Sequence, residues 1–385
     1  MTAPGGTASP APAPPRDRPA GALRLGAVWG IPVYVSATTL LVVVLIAFTY
    51  GGTVAAGVDN LTQGQAYAAA ALFGVLLFVS VFLHEVGHAA VGRAVGLRVR
   101  SITLFMLGGV TEMEREAPDP GRAYLVSVAG PMVSLLLAAL GWGAVPLTTD
   151  RTLVHVLVQQ LAATNLIVAV FNILPGIPLD GGQLLRAAVW KVTGDSFLGI
   201  RVAAWAGRGI AVLGVLVAIY LSQVTGTGFT SLLWALVIAF FVWQGASQAL
   251  TMAAVRAKLP RLNAGAMARA AIAVPADTPL SEALRRVGEQ RARGIVVVSP
   301  RGEPESVVME DAVSRTPEQR RPWVTVAAVA RNVAPGLLLP AQLSGESLVE
   351  ALQASPATEY VVVDERGALV GVLAVADVAA VLGPS

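Results

Sequence analysis

Two of the three histidines in the chain stand four residues apart, in Val81-Phe82-Leu83-His84-Glu85-Val86-Gly87-His88. On a helix that spacing turns both imidazoles to one face, where they can share one metal ion. It leaves Glu85 beside them to take a proton from a water. The surrounding run is apolar, so three ionisable groups lie where an unpartnered charge is costly. Cys is absent, which excludes thiolate ligands, cysteine nucleophiles and disulfides and restricts any metal site to His, Asp and Glu. A catalytic zinc takes three protein ligands and keeps one position open. The third is expected from Asn172-Ile173-Leu174-Pro175-Gly176-Ile177-Pro178-Leu179-Asp180-Gly181-Gly182. There Pro175, Gly176 and Pro178 stop a helix and free the chain to bring Asp180 back towards His84 and His88, while Gly181 and Gly182 permit close approach. Read alone, the segment is only a loop leaving an apolar helix. Beside the His84–His88 motif, Asp180 becomes the expected ligand.

The elements that must position these residues are membrane helices. Of the 385 residues 55% are hydrophobic and 13% charged, against roughly 25% charged in soluble domains. Six apolar runs reach the length of a span, at approximately 28–50, 66–91, 123–145, 153–175, 200–222 and 231–253. Arg16, Arg18, Arg24, Arg93, Arg98, Arg100, Arg115, Arg122, Arg186, Lys191, Arg256, Lys258 and Arg261 fall on one side of these spans and only Arg151 on the other. With an even number of spans, that asymmetry puts both termini in the cytoplasm. His155 then opens the fourth span at the outer face, far from the metal. Arg201 and Arg208 are expected to snorkel from the start of the fifth span, with Trp205, Trp234 and Trp243 as packing or interfacial residues. The net charge of +3, with no basic run interleaved with aromatics, argues against nucleic acid as a partner. Residues 1–25, rich in Pro, Ala and Gly, are expected to form a disordered arm.

Leu97 to Arg115 reads as a β-hairpin. Val99, Ser101, Thr103 and Phe105 alternate with Arg100, Ile102 and Leu104, Gly108-Gly109 makes a turn, and Val110 to Glu114 returns. Its backbone must be satisfied by protein at membrane depth, so it should pack on the helices near the cytoplasmic face. From about Ala264 the composition becomes that of a soluble α/β domain. A helix around Leu280–Gln290 and a strand Gly294–Ser299 are echoed by a helix Ser347–Ala354, strands Tyr360–Val363 and Ala368–Ala374 and a helix from Val375, an internal repeat. The expected organisation is an arm over 1–25, a six-span membrane core over 26–255 and a cytoplasmic pair over 256–385.

His-Glu-x-x-His on the second span, with Asn-x-x-Pro-x-x-Pro-Leu-Asp-Gly-Gly closing the fourth, resembles the site-2 protease family of intramembrane zinc metalloproteases. Gly130-Pro131 in the third span resembles a Gly-Pro of that family. The resemblance implies that His84, His88 and Asp180 are zinc ligands, Glu85 the general base and Asn172 a polar neighbour. It implies a zinc-dependent endopeptidase that cuts transmembrane or membrane-adjacent segments of membrane-protein substrates in the lipid bilayer of the cell membrane. Clients of sigma-factor or anti-sigma-factor type are among those of the family, and the hairpin is thought to hold substrate as an added strand. Ser134 stands where relatives often carry Asn, which puts oxyanion stabilisation there in doubt. Tyr360 to Asp377 resembles a cystathionine β-synthase (CBS) motif, with a weaker copy ending at Asp311. Such pairs often bind adenine nucleotides, an Asp at the Asp377 position holding the ribose. Here Ala374 and Val308 replace the usual Ser or Thr, so nucleotide binding and a plain role in homodimerisation or docking both stay open. A CBS-bearing transporter or a metal-free scaffold are the competing classes. Against a conduit stands the concentration of ionisable groups at one cytoplasmic-side site.

Overall fold

The computed structural model describes residues 21–106, 108–225 and 229–383. Two compact units divide the chain between Leu250 and Thr251. Six helices among the described residues are long and apolar enough to cross a membrane, which makes this a multi-pass membrane protein. They are α1 (Ala37–Gly57), α2 (Gln63–Ala94), α3 (Pro120–Ala144), α4 (Leu153–Ile173), α6 (Ser196–Thr225) and α7 (Phe229–Lys258); a shorter helix, α5 (Asp180–Thr193), lies between the fourth and fifth. Start signals set several of these. Thr62 and Gln65 close a reciprocal capping box on α2. Asp119 accepts from the Arg122 N–H at 2.9 Å to start α3, with Pro120 in its first turn. Leu40, Phe48, Leu140, Ile167 and Tyr220 point outwards and stay exposed, a surface that only lipid can cover favourably.

Between the helices, small residues mark the crossings. Gly74 of α2 faces Val43 of α1, Gly87 of α2 faces Ala129 and Val133 of α3, and Gly141 of α3 faces Ala162 of α4. Lipid is as apolar as leucine, so close packing and interhelical hydrogen bonds hold such helices together. One of these bonds joins α4 to α2: the amide of Asn165, 3% exposed, donates to the Ser80 hydroxyl at 3.2 Å.

The first span starts later than the apolar run suggests, and part of the expected arm is ordered strand. Residues 1–20 of that arm lie outside the described residues, but Ala22–Val28 is strand β1 and Ile31–Ser36 is strand β2. The run from Val28 is apolar because one face of β2 is buried, not because it spans. Both strands join the hairpin β3 (Val99–Phe105) and β4 (Gly108–Met113) in one sheet of order β1-β2-β3-β4, with β2 and β3 parallel and the other pairs antiparallel. Gly108 and Gly109 pair with Phe105 and Leu104 instead of forming the turn. Ile31, Val33 and Ile102 bury against Ala89 of α2, which seats the sheet beside the His84–His88 segment.

The second unit contains two similar halves. One has β5 (Ala271–Val274), α9 (Leu280–Gln290), β6 (Gly294–Val298), β7 (Pro304–Val308), α10 (Glu310–Arg315) and β8 (Ala330–Asn332), after a short α8 (Ala264–Met267). The other has β9 (Leu338–Pro340), α11 (Gly345–Ala354), β10 (Glu359–Val363), β11 (Leu369–Ala374) and α12 (Val375–Leu382). In each, a parallel pair (β5 with β6, β9 with β10) is extended by an antiparallel one (β6 with β7, β10 with β11). The pairs Val296–Val307 and Val361–Val372 meet in a shared core. The repeat expected from the sequence is thus present as two α/β halves with matching strand order.

Candidate metal centre

α2 carries His84 and His88 on one face, and both are buried (4% and 7% exposed). α4 stops at Ile173, where Leu174 turns to extended backbone ahead of Pro175, and Asp180 opens α5. A Cβ on Gly181 would strike the carbonyl oxygens of Ile173 and Leu174, and one on Gly182 the backbone of Gly176 and Ile177. Two glycines therefore let α5 nest against the end of α4, and this turns Asp180 towards α2. Its Oδ2 lies 3.1 Å from His84 Nε2 and 3.3 Å from His88 Nε2, and the two Nε2 atoms are 3.2 Å apart.

That triangle fits a metal ion. Ligand atoms bound to zinc at about 2.0–2.1 Å in tetrahedral array lie about 3.3 Å from one another. The partners of the other ring nitrogens point the same way. His88 Nδ1 is 2.8 Å from the Val126 carbonyl, which can only accept, so Nδ1 carries a proton and the Nε2 of the neutral ring offers a lone pair. His84 Nδ1 meets the Ser134 hydroxyl at 2.9 Å. Two imidazole nitrogens and a carboxylate oxygen thus converge where a cation would hold all three. A Cβ on Gly130 would run into both Nε2 atoms, so this stretch of α3 must be bare for the triangle to exist.

Glu85, 6% exposed, is turned aside from the triangle towards β4. Thr111 reaches its carboxylate Oε2 at 2.7 Å and its backbone carbonyl at 3.0 Å, and Gly109 packs on its side chain. A cavity of about 430 Å³ opens in front of Glu85, His88 and Asp180. Gly109, Val110, Thr111 and Met113 of β4 form one wall, and Gln183, Arg186 and Trp190 of α5 another. Arg186 pairs with Glu116 at the rim and is steadied by the Ser196 hydroxyl at 3.0 Å. Glu85, Thr111, Asp180, Gln183 and Arg186 place polar groups in an otherwise largely apolar lining.

Of the other residues singled out in the sequence, Asn172 sits half-buried in the last turn of α4, and no hydrogen bond joins it to the triangle among the described residues. His155 meets Thr148 at 2.9 Å, away from the centre. Asp377 is in the second unit, where Arg269 grips both of its carboxylate oxygens at 2.6 and 2.7 Å and holds the carboxyl below the usual carboxylate range. Arg208 has partners on two helices. Its guanidinium lies between Trp205 and Trp243. Ser134, Val126 and Thr111 were missed from sequence as partners of the ligand set. A signal for two of them exists: Val126, Gly130 and Ser134 recur every four residues on one face of α3, matching His88 and His84 on a neighbouring, oppositely running helix.

Residues 72–149 and 148–217 match the model of Peptidase family M50. A protein of Synechocystis sp. named as a zinc metalloprotease is 29% identical over 363 residues, which cover 91% of this chain and 93% of that one. A protein of Mycobacterium tuberculosis named as the zinc metalloprotease Rip3 is 32% identical over 231 residues, 59% of this chain and 58% of its own length. The solved site-2 protease of Methanocaldococcus jannaschii is 26% identical with a TM-score of 0.43, over 60% of this chain and 95% of that one. Residues 72–217 of the membrane core, which carry the buried His-His-Asp triangle, thus match peptidase family M50, and the chain is similar along most of its length to a protein named as a zinc metalloprotease.

Proposed function

We propose that His84, His88 and Asp180 hold one zinc ion and that Glu85 is the general base of an endopeptidase that cuts client proteins within or beside the membrane. The observation that carries this reading is the triangle of lone pairs, 3.1 to 3.3 Å on each side, with a buried carboxylate next to it and a cavity in front. Zinc there supplies Lewis acidity towards a water and a scissile carbonyl. Glu85 takes a proton from the attacking water and passes it to the leaving amine. Thr111 holds the Glu85 carboxylate by its 2.7 Å contact, and Val126 and Ser134 orient the imidazoles from behind. Asn172 is a neighbour of the loop that delivers Asp180.

A peptide bond inside a helix is hydrogen-bonded and shielded, so a client segment must unwind before its carbonyl can react. β4 offers the unwound segment a partner. It is the edge of the sheet, it lines the cavity beside Glu85, and an added strand satisfies the client's backbone as it enters. The Arg and Lys distribution favours both termini in the cytoplasm, which puts the cavity within reach of cytoplasmic water. Membrane-tethered clients of sigma-factor or anti-sigma-factor type are the class that the family resemblance suggests testing first. The CBS pair suits dimerisation or regulation. An adenine nucleotide using Asp377 must first displace Arg269.

The test is cleavage of a candidate membrane client by the purified protein in lipid, with zinc content measured alongside. Glu85→Gln should abolish cleavage and keep zinc, whereas His84→Ala should lose both. Undiminished proteolysis by Glu85→Gln would remove the proposed base.

A further inference from the structure

Arg208 lies inside spanning helix α6, where a cation is costly unless it is partnered, and its partners belong to two helices. Its guanidinium carbon is 4.8 Å from the ring centre of Trp205 on α6 and 4.9 Å from that of Trp243 on α7. Nη2 donates to the Ser247 hydroxyl on α7 at 3.0 Å, and that hydroxyl donates in turn to the Trp243 carbonyl at 2.7 Å. Nε is buried with no hydrogen-bond partner among the described residues. A cation held face-on by two aromatic rings is attracted by both quadrupoles, and more strongly where water is excluded. The guanidinium thus fastens α7 to α6.

The level at which it does so is that of the loop carrying Asp180. Ile177 N–H donates to the Ala203 carbonyl of α6 at 3.0 Å. Gly207, the residue before Arg208, presses on the Ile177 carbonyl so closely that no Cβ would fit. On the other side, a Cβ at Gly245 of α7 would fall 2.7 Å from the Pro178 ring, and Ser247 is two residues further along α7. Ile177 and Pro178 are therefore gripped between α6 and α7 next to the Arg208 bridge, and Asp180 follows two residues later.

We propose that Arg208 is a positioning residue for the metal centre: by clamping α7 to α6 across the Ile177–Pro178 loop, it holds Asp180 Oδ2 against the two imidazoles. The proposal rests on the reading of Asp180 as a zinc ligand. It is tested on the full chain in lipid nanodiscs by zinc competition with a chromophoric chelator, comparing wild type, Arg208→Met, Arg208→Lys, Ser247→Ala and Asp180→Asn. Arg208→Met should weaken zinc binding about tenfold, the lower end of the range for groups that orient ligands. Arg208→Lys should recover part of the loss, because an ammonium keeps the cation between the rings, and Ser247→Ala should weaken binding severalfold. Asp180→Asn should weaken it more than any of these. Affinities of Arg208→Met and Ser247→Ala within twofold of wild type, with Asp180→Asn impaired, would overturn the clamp and leave the zinc reading standing. Wild-type affinity in Asp180→Asn would instead remove the ligand assignment beneath it. If Arg208→Met does not fold, as judged by its helical circular dichroism, Ser247→Ala decides: severalfold weakening supports the clamp and no change overturns it.

Discussion

Ser134→Ala removes one oxygen, the one that meets His84 Nδ1 at 2.9 Å. Ser134 is 1% exposed and His84 4%, so no solvent stands ready to replace the hydroxyl. A buried polar group stripped of its partner costs about 1–3 kcal/mol, or roughly 5- to 150-fold in a binding constant at about 1.4 kcal/mol per decade. Groups that orient metal-bound histidines cost about 10- to 100-fold in affinity when removed, so two independent arguments meet at a loss of one to two decades in zinc affinity. Ser127→Ala, two turns earlier on α3, is the matched control. It is also buried (8% exposed), but its hydroxyl donates to the Ala123 carbonyl of its own helix at 2.8 Å, and its loss should leave zinc binding within about twofold. The measurement is competition for zinc with a chromophoric chelator on both purified variants. Equal affinities for Ser134→Ala and Ser127→Ala would refute the inference that the hydroxyl orients His84.

Other consequences follow from the same geometry. Gly130→Ala should abolish zinc binding, because the added methyl occupies the space of both Nε2 atoms; metal analysis of the purified variant checks this. Thr111→Val should lower kcat with little change in zinc content, since the hydroxyl of Thr111 bonds to Glu85 and not to the three metal-facing side chains; a parallel fall in bound zinc would contradict that division of roles. Arg269→Ala should expose the Asp377 carboxylate, now gripped at 2.6 and 2.7 Å, and tighten the binding of AMP or ATP over wild type in equilibrium dialysis. In the second unit, Arg285 and Arg286 hold Glu282 at about 2. A carboxyl with a lowered folded value stabilises fully above its ordinary value of about 4.3 and loses that contribution as pH falls to about 2. Hydrogen exchange along α9 should therefore accelerate over that acid window, modestly because the groups are exposed, and Glu282→Gln should flatten the change.

Much of the architecture is legible because membranes impose a simple code. Six long apolar runs separated by polar loops can only be spans, and the structure shifts their ends by a few residues except at the first. There the apolar run from Val28 misleads, since a strand with a buried face and a helix facing lipid look alike over ten residues. The hairpin over Leu97–Arg115 was visible from alternation, but its partners β1 and β2 were not, because parallel pairing of β2 with β3 leaves no local trace. Helix α5 is not announced by the sequence: its Pro-Gly approach hides a start at Asp180, although the left-handed Gly194 beyond Thr193 is an ordinary stop signal. The partners of Arg208 are hidden for a related reason. Snorkelling is the default for a lone cation in a span, and nothing local announces two tryptophans and a serine waiting on α6 and α7.

The sequence by itself determined what depends on neighbours along the chain: two histidines one turn apart, the absence of any thiol, the length of each span and the repeated α/β unit at the C-terminus. Tertiary structure decided what depends on how helices cross. Only there does Asp180 come within 3.1 Å of His84, 96 residues away, or Ser134 reach the same ring from 50 residues away. Only there does Arg269 close on Asp377 across 108 residues. The physical reason is range. Periodicity records which face of a helix is apolar, whereas the partner met by a polar atom on that face is set by packing depth and rotation, and these are properties of two or more elements together.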